Sequence, residues 1–170
     1  MRVERDRDRD RREAVERCEI LNLSRNQLLL FLIEFLVVSA IFLAGWYYIG
    51  RWYQNLVFNF ARLVLLAMGY TKLEIAALNL SDAYLVNFNL VPLIALAVVT
   101  PKLTLKKRIE ILVIGIPVLF FLHVLDIVVR FPMYINHSEF ARMVYASIGV
   151  AWMAVPFIIW VVIAVSLRTQ

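Results

Sequence analysis

Three stretches of this chain, residues 28–49, 109–129 and 144–167, are almost unbroken runs of apolar side chains. At about 1.5 Å per residue, a helix of that length crosses a hydrocarbon core of about 30 Å. Lipid offers no partner to backbone N–H and C=O groups, so such runs must form helices. The 170 residues are 62% hydrophobic and only 18% charged, too apolar for a water-soluble domain. The expected class is an all-α integral membrane protein whose first partner is the lipid bilayer.

Residues 1–26 differ sharply from the rest. They hold eight Arg against seven Asp plus Glu, a mixed-sign arm rather than a basic patch. We expect a solvated cytoplasmic tail at 1–26 and one polytopic membrane domain at 27–170. The arm has no stacking aromatics and its acids repel phosphate, so nucleic acid is not an expected partner. It also lacks the short apolar core and cleavage site of a secretory signal. The one cysteine, Cys18, lies in the arm, which leaves no internal disulfide and no cysteine-based metal site.

The first span ends in Trp46, Tyr47, Tyr48, Trp52 and Tyr53, an aromatic belt. Trp152 and Trp160 read as belt or packing residues as well. Glu34 lies inside the span and calls for a partner on another helix or a snorkelled position. Residues 54–69 are short for a span, and Asn55, Asn59 and Arg62 recur at helical spacing, which predicts an interfacial helix. From 70 to 88 the apolar period changes toward two, with Asn79, Ser81 and Asp82 as turn residues, which predicts a small β-hairpin on the outer face. A second span starts near Asn89 with only ten to twelve continuous apolar residues, so its outer end should be recessed. Pro92 suits its first turn. Pro117 and Pro156 are expected to kink the last two spans.

That count is about four transmembrane helices plus an interfacial helix. The loop 101–108 carries Lys102, Lys106, Lys107 and Arg108, which marks it as cytoplasmic and puts both termini inside. Three triplets, at Asn22, Asn79 and Asn136, match a glycosylation acceptor pattern, but one falls on the inner side, so the pattern carries little.

The polar residues of "HVLDIVVRF", 123–131, stand out in the third span. Asp126 and Arg130 are spaced i, i+4 with the acid first, the favourable order for an ion pair. Arg130 can hold the acid while reaching outward, and His123 can join the same carboxylate. A His123, Asp126, His137 set also has ligand types that suit a first-row metal, and Glu34 with Asp126 offers a proton or substrate relay. His137 is either a loop residue before a helix capped by Ser138 or part of a site.

From about residue 60 to 167 the order of pieces resembles the exosortase/archaeosortase family. A helix ending in "LAMGY" is followed by "TKLEIAALNLSDAYLVNFNL", the basic loop "TPKLTLKKRIEILVIGIP", "VLFFLHVLDIVV" and "INHSEF". Members are membrane cysteine transpeptidases that process C-terminal sorting signals on the outer face of prokaryotic membranes. The resemblance implies a catalytic Cys where this chain has "VNFNLVP", with Asn89 or Leu90 in its place. It implies Arg in a stretch like "NVLRIV", which here reads "HVLDIV", so Asp126 stands there. Only His137 matches. A thiolate is the nucleophile such acyl transfer needs, and an acid where the arginine should be opposes a developing oxyanion.

The expectation is therefore a non-catalytic relative in a prokaryotic cytoplasmic membrane, without a cofactor. It would bind or scaffold exported surface proteins or their sorting signals. Its recess would be formed by Asn87, Asn89, His123, Asp126, Arg130 and His137. The alternatives are a hydrolase or transpeptidase of altered, metal-assisted chemistry using His123, Asp126 and His137, and a structural subunit of a larger membrane complex.

Overall fold

The computed structural model of the chain describes residues 25–77, 87–101 and 103–166. Residues 1–24 of the charged arm, Cys18 among them, and the Asn22 and Asn79 triplets lie outside the described residues. The elements are α1 (Arg25–Ala67), α2 (Lys72–Ala77), a 3-10 turn (Asn87–Asn89), α3 (Leu90–Val99), α4 (Leu105–Tyr134) and α5 (Glu139–Ser166). The described residues are all-helical or connecting. Three helices are long and apolar enough to cross a membrane: Asn26–Ala67, Leu105–Tyr134 and Glu139–Ala164. This is a membrane protein with the bilayer as its surroundings.

Two expectations are corrected. The break expected between a span at 28–49 and an interfacial helix at 54–69 is absent, and α1 runs through both for 43 residues. No Pro or strong turn signal stands between Ile49 and Gln54, so the backbone ladder has no reason to stop there. The β-hairpin expected at 70–88 is also absent where the chain is described. Residues 72–77 are helical and 87–89 form a 3-10 turn, while 78–86 lie outside the described residues. The reason is a capping box that outweighs the apolar alternation. Thr71 N–H donates to Glu74 Oε2 at 2.7 Å, and Glu74 N–H donates back to Thr71 Oγ1 at 3.3 Å. "TKLE" is the S/T-x-x-E signature of a helix start.

α1 ends at the "LAMGY" stretch. Gly69 has φ +94°, the left-handed conformation that only glycine adopts without strain. Tyr70 N–H then reaches Leu65 O and Gly69 N–H reaches Leu66 O, both at 3.1 Å, which is a Schellman closure. At the other loop, Ser138 Oγ accepts from Ala141 N–H at 3.3 Å and caps α5 as expected.

The two halves of α1 differ. Its C-terminal half buries Tyr53, Val57, Ala61 and Leu65, one stripe at i, i+4, i+8 and i+12 that joins the core with α3 and α4. Asn55, Asn59 and Arg62 face the opposite way and are exposed, so the polar stripe read from the sequence is there. The most apolar window of the N-terminal half has no buried residue.

α3 is ten residues long, and seven of them are buried. It spans about 15 Å, half a hydrocarbon core. Apolar burial does not drive helix association in lipid, so close van der Waals packing must. Gly115 of α4 supplies it: a Cβ there would lie 2.6 Å from Leu93 Cδ2 and 3.4 Å from Ile159 of α5. The end of α3 is sealed by Arg108, whose guanidinium donates to the carbonyls of Val98, Thr100 and Leu103. Trp160 Nε1 donates to Thr100 Oγ1 at 2.7 Å, and the Trp160 ring stacks on Phe31 at 6.4 Å. These contacts gather the start of α1, the end of α3 and the last turns of α5 at one end of the molecule.

Candidate functional site

The buried polar residues concentrate on one face of α4. His123, Asp126 and Arg130, at i, i+3 and i+7, are exposed by only 1%, 2% and 4%. Helical geometry puts these three positions over one another, and α1 and α5 close over them. Charges removed from water are stable only when paired and hydrogen-bonded, so each contact matters.

The expected ion pair is present. Arg130 Nε donates to Asp126 Oδ2 at 3.0 Å. Tyr145 of α5 lies under the guanidinium, with the Arg130 Cζ 5.1 Å from the ring centroid, a cation–π contact. His123 is not joined to the carboxylate as the sequence suggested. Its Nδ1 shares a hydrogen bond of 2.9 Å with the hydroxyl of Tyr53, seventy residues away on α1. In the tautomer where Tyr53 donates, the ring proton sits on Nε2. Tyr53 also packs edge-on against His123 and Phe120.

Six buried polar atoms make no hydrogen bond among the described residues: His123 Nε2, Asp126 Oδ1 and Asn87 Nδ2, and apart from these Ser39 Oγ, Trp46 Nε1 and Trp152 Nε1. Most buried polar groups find partners, so His123, Asp126 and Asn87 each keep hydrogen-bonding capacity that no described residue uses. Asn87 is 3% exposed and belongs to the 3-10 turn, which packs against α1, α3 and α5. Asn89 is half-buried at the N-cap of α3 and makes no side-chain cap bond.

His137 is elsewhere. It is exposed in the short α4–α5 loop with φ +51°, an unusual conformation for a histidine. That turn lets Ser138 N–H reach Pro132 O at 3.0 Å. Among the described residues no group of three or more His, Cys, Asp or Glu side chains is placed to hold a metal ion. The set His123, Asp126 and His137 is thus not gathered into a coordination site. Glu34 is exposed on the unburied half of α1, whereas Asp126 is enclosed, so the two acids form no relay.

The sequence did not point to Tyr53 or Tyr145 as members of the cluster. Tyr53 passed for a belt aromatic, yet it heads the apolar i, i+4 stripe with Val57, Ala61 and Leu65. A polar tip at the end of such a stripe is a legible signal for a buried partner. Tyr145 carried no comparable signal. Chemically, the cluster holds one ion pair and one hydroxyl–imidazole hydrogen bond, with no thiol among its described members. No family model matches the chain, no curated protein matches it, and no solved structure matches its fold.

Proposed function

We propose that this chain is a non-catalytic membrane relative of the exosortase/archaeosortase type that binds exported surface proteins through their C-terminal sorting segments. One observation carries this reading. Asp126, at the position where the family resemblance expects arginine, is buried and committed to Arg130 of its own helix. A buried pair of that kind serves architecture or ligand binding rather than acyl transfer. In this reading Asn89 and His137 meet the ligand from the outer side, and the enclosed Asn87, His123, Asp126 and Arg130 fix the helices behind those contacts. The basic residues Lys106, Lys107 and Arg108 favour a cytoplasmic position for the loop before α4, with both termini on that side of a prokaryotic cytoplasmic membrane.

The test places a photoreactive amino acid at Asn89 and, separately, at His137 in cells that export sorted proteins. Adducts with exported proteins, lost when their C-terminal segment is removed, are the expected result. Adducts with lipid alone at both positions sink the proposal.

A further inference from the structure

One face of the unburied half of α1 forms a regular seam. Leu30, Glu34, Val37, Ile41, Ala44 and Tyr48 follow one another at steps of four and three residues, and every one is exposed. A four-three seam is the spacing by which one helix meshes with another. Five members suit lipid as well as they suit a helix. Glu34 does not, because a carboxylate on a lipid-facing surface is costly and in known spans such groups face a partner. Glu34 makes no hydrogen bond or ion pair among the described residues, and it lies nine residues, about 13 Å, into the helix from Arg25.

A second copy in the same orientation would set Glu34 against Glu34, like charge against like. A seam with one acidic member instead fits a helix with one basic member. A single polar residue in such a seam fixes register and partner. We infer that the N-terminal half of α1 docks a transmembrane helix of another protein that carries a lysine or arginine level with Glu34. This inference stands independently of the sorting-signal reading, since it uses a different surface.

The experiment uses the full-length chain, labelled with a fluorescence donor and reconstituted in lipid vesicles. The probes are acceptor-labelled polyleucine spanning peptides with a lysine, a leucine or a glutamate about nine residues from the matching end. The lysine peptide should associate about tenfold more tightly than the leucine peptide. That preference should vanish in Glu34→Gln and persist in Glu34→Asp. Unchanged helicity by circular dichroism shows that the variants fold, as expected for an exposed site. Equal association of all three peptides, or a lysine preference that survives Glu34→Gln, overturns the inference. So does self-association of the chain that depends on Glu34, which would make a second copy the occupant.

Discussion

The ion pair of Asp126 and Arg130 sets the energetics of the cluster at the level of single residues. Removing one member leaves the other charged, buried and alone, which typically costs about 3–5 kcal/mol. Replacing both with leucine removes the charge and its desolvation together. Arg130→Leu should therefore destabilise the protein by about 3–5 kcal/mol, and Asp126→Leu combined with Arg130→Leu should recover most of that loss. Unfolding by sodium dodecyl sulfate in mixed micelles measures both. A double variant as unstable as the single one would show that the charges themselves, and not just their pairing, hold α4 to its neighbours. The pair was legible in the sequence because both members lie on one helix at i, i+4. The Tyr53–His123 bond was not, because no local pattern links residues seventy positions apart.

Among the elements, α3 depends most on a neighbour giving way. Its Leu93 occupies the space that a side chain on Gly115 would fill, and Leu93 is completely buried, so it has little room to retreat. Gly115→Ala should cost about 1–3 kcal/mol through overpacking. Leu93→Ala in the same chain should relieve part of it, which a double-mutant cycle of thermal melts in detergent reads directly. The capping box of α2 answers to pH instead. Glu74 accepts from the Thr71 backbone N–H and hydroxyl, and the bond from the backbone first, then that from the side chain, holds its carboxyl below the usual carboxylate range. Its support for the helix start is complete above the ordinary glutamate range and is lost as pH falls through the lowered folded value. Amide exchange at Thr71 across an acid titration should show protection disappearing below the ordinary range, and Glu74→Gln should weaken that protection and abolish its pH dependence. α4 and α5 were legible as long apolar runs. α2 was misread because alternation over a few residues weighs less than two reciprocal cap bonds, and the merger of two expected helices into α1 follows from the lack of any stop signal.

At the scale of the molecule, length and charge decide the arrangement. α1 is about 65 Å long, and even at a tilt of about 40° it outreaches a core of about 30 Å. Part of it must run beyond the hydrocarbon, and the exposed Asn55, Asn59 and Arg62 make the C-terminal half the part that meets polar surroundings. If the basic loop lies inside, as proposed above, an impermeant maleimide added to intact cells should label His137→Cys, and should reach Lys106→Cys only after permeabilisation, both in a chain lacking Cys18. The reverse pattern would invert the orientation. The cluster on α4 lies between these two ends, tied to α1 through one hydroxyl.

That tie has a mechanical consequence. From Glu34 to Tyr53 the backbone is one continuous hydrogen-bonded rod of about 28 Å. A push or twist delivered at its free half has few places to dissipate before it reaches the Tyr53 hydroxyl, Gly45 and Gly50 being the softest points along the way. A tilt of the free half would thus be felt at Tyr53, which among the described residues makes the hydrogen bond that the His123 ring accepts or donates.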